Sequence, residues 1–154
     1  MNGLTLRGVR VEYGGCAVVS SVDEKLAAGE WLCLIGPNGA GKSTTIGIIS
    51  SLTKKTEGTV EIFGHNLDTH PSLAKQQLGV VPQEFNFGQF EKAFDILVTQ
   101  AGYYGIHKKT AEKRAEHYLE KLGLWENRNI KSRMFSGGMK SRHMIELAMM
   151  HEPK

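Results

Sequence analysis

Eight consecutive residues, Gly36-Pro37-Asn38-Gly39-Ala40-Gly41-Lys42-Ser43, carry the strongest chemistry in this sequence. Their order is G-x-x-x-x-G-K-[ST], a pattern that cradles phosphate when a strand precedes it and a helix follows. Gly39 and Gly41 can take backbone angles closed to other residues, so successive N–H groups can turn inward as an anion nest. A helix starting at Ser43 would aim the positive end of its dipole at the same point. Lys42 adds a full positive charge suited to β- and γ-phosphates, and Ser43 offers a hydroxyl to Mg²⁺. Thr44 follows in the first helical turn. The plain alternative is a glycine-rich turn with an accidental Lys-Ser, and the flanking elements argue against it.

A second cluster stands about a hundred residues later, at Phe135-Ser136-Gly137-Gly138-Met139. Ser136 can cap a following helix, and Gly137 and Gly138 leave backbone N–H groups open at its N-terminus. Taken alone, an ordinary capped helix explains it equally well. His143, Glu146 and His151 fit neither H-E-x-x-H nor H-x-x-E-H and read as solvated helix residues. Phe85, Phe87 and Phe90 crowd one stretch. They fit either a partner surface, with at least two of them exposed, or a packed core.

The elements around these residues follow from the apolar spacing. Leu4, Leu6, Val9 and Val11 predict a strand that turns at Tyr13-Gly14-Gly15. Trp31 to Ile35 is a continuous apolar run between Gly29 and Gly36, which predicts a strand buried on both faces of a parallel sheet. A helix is expected over Ser43 to Leu52, a strand over Thr59 to Phe63, a short helix opened by Pro71, and a short strand from Leu78 to Val81. From about Lys92 onward the pattern is helical. Ala111, Ala115, Tyr118, Leu119 and Leu122 share one face, Gly123 suits the helix end, and a last helix runs from Met139 to Met150.

Bulk properties narrow the class. The 154 residues are 40% hydrophobic and 23% charged, as in a single globular, soluble domain. A net charge of +3 gives no argument for nucleic acid. Cys16 and Cys33 form neither a metal spacing nor a disulfide framework, which fits a reducing, intracellular compartment. No apolar run approaches the roughly 20 residues of a membrane helix, so a membrane role would come through a partner.

The Phe135–Met139 cluster resembles the Leu-Ser-Gly-Gly-Gln signature of ABC ATPases, and Gly36–Ser43 supplies their P-loop. The resemblance runs from Leu4 to Lys154 and is nearest in flavour to the ATP-binding subunits of bacterial drug or polysaccharide exporters. It implies an α/β P-loop nucleoside triphosphate hydrolase fold of ABC-ATPase type with a helical subdomain and its C-terminal part missing. Residues 1–154 would form a partial ATP-binding domain, with a strand-rich core over about 1–91 and a helical subdomain over about 92–150.

The implied cofactors are ATP and Mg²⁺. Nucleotide would be held by Tyr13 through adenine stacking, by Gly36, Pro37, Asn38, Gly39, Ala40, Gly41, Lys42, Ser43 and Thr44, and by Ser136, Gly137 and Gly138. Lys42 and Gln83 would be catalytic, and Ser43 and Gln83 would meet the metal. The implied partners are an ABC-transporter membrane subunit and a second ATP-binding subunit in a homodimer, with no nucleic acid. The implied place is cytoplasmic, peripheral at the inner face of the cell membrane. The alternatives are a non-transport ABC ATPase acting on ribosome or DNA, and an inactive truncated fragment.

Phe135 departs from the usual Leu, and Glu146-Leu147 from the usual Ala-Arg. The chain stops at Lys154, before the strand ending in Asp-Glu that the resemblance leads one to expect. The expectation is therefore a chain that binds ATP, hydrolyses it little on its own, and carries an open apolar edge at Trp31–Ile35.

Overall fold

The structure, a computed structural model, describes residues 2–85 and 87–154. It divides into two compact units, Met1–Leu78 and Gly79–Lys154.

In the first unit, β1 (Asn2–Tyr13) pairs antiparallel with β2 (Cys16–Ala27) and with β3 (Glu57–Ile62). A two-residue strand, β4 (His65–Asn66), completes the order β2-β1-β3-β4. β1 and β2 join through Gly14 and Gly15, both at positive φ, in the tight turn that matches strand twist. The apolar spacing of β1 is uneven: Leu6 is followed by Val9, not by residue 8. The register with both neighbours shifts at this point. A bulge at Gly8 returns Val9 and Val11 to the face that Leu6 occupies. These side chains form one core with Val19, Val60, Ile62, Leu67, Ala74 and Ile48. Ile48 comes from α1 (Lys42–Ile49) and Ala74 from α2 (Pro71–Gln76), which Pro71 opens.

Two predicted strands are not formed. Trp31–Ile35 lies outside any helix or strand and pairs with no strand among the described residues, and Trp31 is 99% and Ile35 89% exposed. Leu78–Val81 likewise carries no ladder, and Val80 and Val81 are exposed. An apolar run becomes a doubly buried strand only where flanking strands take its N–H and C=O groups. The paired strands described here are all antiparallel and lie elsewhere. β2, in contrast, was not legible as a strand. Most of its residues are exposed, and pairing with β1 holds it more than its own alternation does.

The second unit is helical: α3 (Ala93–Tyr103), α4 (Lys108–Lys121) and α5 (Gly137–Met149). Ala93, Leu97 and Ala101 of α3 pack with Ala111, Ala115, Tyr118 and Leu119 of α4, and with Leu124, Phe135 and Met150. α4 ends as its sequence predicts. Gly123 takes φ +68°, and the Leu124 N–H reaches back 2.7 Å to the Leu119 carbonyl, burying Leu124 in a helix-end motif.

His143 and Glu146 correct the sequence reading: both are fully buried, not solvated. They lie on the inner face of α5, where His143 Nδ1 and Glu146 Oε2 are 2.7 Å apart. His151 is half-buried, its ring stacked on Tyr104 at 3.9 Å. Burial holds the Glu146 carboxyl above its usual pKa, against the hydrogen bond and charge of His143 and the charge of Arg142.

Two expected outcomes follow from this packing. Gly58 sits at φ +87°, and a Cβ there would come 2.3 Å from the Gly8 carbonyl oxygen and 2.6 Å from that of Arg7. Gly58→Ala should therefore lower stability by at least about 2 kcal/mol in thermal or urea unfolding. For Glu146, the raised folded-state pKa means that the folded chain keeps a proton which the unfolded chain releases. Its contribution is fully present below the ordinary carboxyl pKa and is lost as pH rises through the raised value. Glu146→Gln cannot ionise. The stability of the natural chain relative to this variant should fall with rising pH across that window, and a flat difference in urea unfolding would contradict the assignment.

Candidate functional site

The Gly36–Ser43 segment runs directly into α1, as its spacing predicts, while the strand expected before it is not formed. Gly39 lies at φ +85° and Gly41 at φ +81°. At Gly41 the glycine is required twice. Its backbone is left-handed, and a Cβ would stand 2.9 Å from the Val18 carbonyl oxygen and 3.2 Å from Val19 Cγ2. The start of α1 is thereby seated against β2. Gly36 is also tight, since a Cβ there would meet that of Ala40 at 3.0 Å. The Ala40 N–H closes the turn on the Pro37 carbonyl at 3.2 Å.

Lys42 folds over this loop. Its Nζ donates to the carbonyl oxygens of Gly36 at 2.8 Å and Pro37 at 2.9 Å. An ammonium has three N–H donors, so one remains for an anion in the same cradle. Gly41, the N-cap of α1, makes no side-chain cap hydrogen bond, so the first N–H groups of the helix have no capping side chain, and Ser43 beside them is exposed. Thr44 is half-buried in the first turn, while Thr45 is buried and ties its hydroxyl to the Gly41 carbonyl at 3.0 Å. Pro37, Asn38 and Ala40 are exposed around the loop. The arrangement has the chemistry that suits a polyphosphate: a loop with glycines at positive φ, a helix N-terminus and a tethered cation.

Tyr13 ends β1 at the tip of the same hairpin whose second strand touches Gly41. It is 58% exposed, so its ring is open to stacking rather than part of the core. The structure therefore brings Tyr13 and the loop onto one structural frame.

The other sequence-derived site residues belong to the second unit. Gln83 lies exposed on a bend outside any helix or strand. Ser136 caps α5, its Oγ accepting from the Met139 N–H at 3.3 Å. Gly137 and Gly138 are exposed, with open space where their Cβ atoms would be. Phe135 is buried in the helical core just before them. Phe85 and Phe90 are exposed, at 41% and 69%, and Phe87 is half-buried. A cation lies over each exposed ring: Lys140 Nζ is 5.3 Å from the Phe85 centroid, and the Arg133 guanidinium is 5.3 Å from that of Phe90. The buried His143–Glu146 pair is the feature that sequence reasoning missed. Its i,i+3 spacing on the inward face of α5 was the available signal.

Among the described residues, no three or more His, Cys, Asp or Glu side chains gather as a metal site, and no helix is long and apolar enough to cross a membrane.

Comparison with known proteins shows the family and the fold. The family model described as ABC transporter matches residues 19–154. The linearmycin resistance ATP-binding protein LnrL of Bacillus subtilis is 38% identical over 98% of this chain and 49% of its own length. A Nod factor export ATP-binding protein I of Cupriavidus pinatubonensis is 33% identical over 97% of this chain and 46% of its own length. The chain thus spans about half the length of these relatives. A solved ATP-binding subunit of an ABC transporter superposes with a TM-score of 0.85 at 30% identity, covering 97% of this chain and 62% of that one. The structure of cbiO1 from Clostridium perfringens, part of the transporter complex cbiONQ, gives 0.86 at 19% identity over 99% of this chain and 63% of that one, and so shares the fold. With a family match over residues 19–154 and relatives of this identity along nearly its whole length, the chain belongs to the ATP-binding proteins of the ABC transporter family.

Proposed function

We propose that this chain is the nucleotide-binding part of an ABC transporter's ATP-binding subunit, which couples ATP binding and hydrolysis to export by a membrane partner. The observation that carries the reading is the seating of Gly41 on β2 with Lys42 folded over the loop. That geometry sets a lysine cation beside a glycine-rich loop at a helix N-terminus, the chemistry that β- and γ-phosphates need. Residues 36–44 hold the phosphates in this reading, and Tyr13 stacks on the base. Ser43 and Gln83 are the Mg²⁺ contacts, and the ion, when bound, neutralises charge developing on the transferred phosphoryl group. Lys42 stabilises the same charge, and Gln83 orients the attacking water.

The exposed Ser136 turn with Gly137 and Gly138 offers a second set of N–H donors, suited to the nucleotide of a second ATP-binding subunit in a homodimer. Residues about 1–91 act as the strand-rich core and about 92–150 as the helical subdomain of a partial ATP-binding domain. The names of the relatives, linearmycin resistance and Nod factor export, support export as the direction. Among the described residues no helix is long and apolar enough to cross a membrane. In this reading the subunit works at the cytoplasmic face of the membrane through a membrane subunit, with no nucleic acid as partner. The exposed Phe85 and Phe90 with their overlying cations are an aromatic patch suited to that contact.

Mg-ATP at a hundredfold over its Kd should stabilise the chain by about 2.7 kcal/mol, read as a rise in melting temperature. Lys42→Ala should abolish most of the rise, and an unchanged response in that variant would refute the site. Phe85→Ser with Phe90→Ser should alter stability by less than about 1 kcal/mol, because both rings are exposed. The same pair should weaken co-purification with the membrane subunit about tenfold or more, as loss of central aromatic anchors does. Undiminished co-purification would remove the patch from the interface.

A further inference from the structure

The His143–Glu146 pair is buried in the second unit and has no part in the nucleotide chemistry described above. His143 Nδ1 meets Glu146 Oε2 at 2.7 Å, while His143 Nε2 and Glu146 Oε1 are buried without a hydrogen-bond partner. The ring of His143 stands between two phenylalanines. Phe87 meets it at 5.2 Å between centroids and 89° between planes, and Phe135 at 5.6 Å and 83°. Phe87 follows Gln83 by four residues, and Phe135 immediately precedes Ser136. Apolar side chains could fill this space without burying two unpaired polar atoms. What the polar pair adds is direction: the Nδ1 hydrogen bond fixes the plane of the ring, and both edge-to-face contacts depend on that plane. A second tie joins the same stretches, since the Ser132 hydroxyl donates to the Gly88 carbonyl at 2.8 Å and the Arg133 N–H to that of Gln89 at 3.0 Å.

We infer that His143, oriented by Glu146, is a positioning residue that locks the turn bearing Ser136, Gly137 and Gly138 to the stretch after Gln83, so that the two segments shift together. The importance of this lock for catalysis rests on the proposed roles of Gln83 and the Ser136 turn. The lock itself needs no nucleotide.

Amide hydrogen exchange of the nucleotide-free chain, with the ring resonances of Phe87 and Phe135 as a local signature, tests it. Glu146→Leu removes the hydrogen-bond partner of His143 Nδ1 and should speed exchange at Phe87–Gln89 and at Phe135–Met139 together, by about tenfold or more, with α3 and the first turns of α4 unchanged. Glu146→Gln keeps a hydrogen-bonding partner of the same shape, able to donate or accept, and should restore both segments and both ring signals. Should the leucine variant fail to fold, His143→Phe decides, because it keeps a ring but loses the bond that orients it, and it should loosen the same two segments. Loosening of one segment alone, even loss of protection across α3 to α5, or no rescue by glutamine would overturn the inference. Failure of Mg-ATP to stabilise the chain would instead remove the nucleotide reading and leave the lock standing.

Discussion

The approach of Gly41 to β2 governs the first unit. A helix N-terminus can present its free N–H groups to an anion only if something holds it in place and nothing fills the space in front. Both conditions meet at this residue. The missing Cβ lets the backbone come within van der Waals range of Val18 and Val19, and the left-handed φ turns the chain from the loop into α1. β2 is in turn held along its length by β1, whose bulge at Gly8 is accommodated by Gly58 on β3. The loop proposed to cradle phosphate is thus supported by a chain of close backbone contacts at glycines. Side-chain packing from Val9, Val11, Val60 and Ile62 then makes that arrangement rigid.

Local chemistry was the legible part of the sequence. The positive φ at Gly39 and Gly41, the start of α1, the capping by Ser136, the end of α4 at Gly123 and the opening of α2 at Pro71 are each fixed by one or two residues, and each formed as read. The irregular spacing of Leu6 and Val9 also made sense once Gly8 was seen as a bulge. Features set by distant partners were not legible. Trp31–Ile35 has the composition of a buried strand, but composition cannot supply a neighbouring ladder, and the segment is exposed without one. β2 fails in the opposite sense: its residues look like surface, and it is a strand because β1 lies beside it.

The second unit shows the same division in another form. His143 and Glu146 have the types of surface residues, and an exposed reading of them was reasonable on composition. What makes burial tolerable is their pairing one turn apart on a helix, so that each supplies part of the hydrogen bonding that water would otherwise give. The compensation is incomplete, since Nε2 and Oε1 stay unpaired, and the carboxyl answers by holding its proton more tightly. Where the resemblance to ABC ATPases leads one to expect Ala-Arg at 146–147, Glu-Leu stands instead. The structure accommodates the change by turning the polar group inward onto His143 and packing Leu147 against the apolar core.

The electrostatics of Lys42 bear on how the site takes its ligand. Its ammonium already holds two carbonyl oxygens, and hydrogen bonds to a charged group contribute about 1.5–3 kcal/mol each. A phosphate that drew Nζ fully away would lose those bonds, whereas one that approached the third donor would keep them. The second course is also favoured by entropy, because the long side chain is already fixed on the loop. The carbonyls of Gly36 and Pro37 therefore do more than satisfy a cation in the absence of ligand. Under the proposed nucleotide reading they hold its charge beside Gly39, Gly41 and the first turn of α1, so that an arriving polyphosphate would meet a field already set.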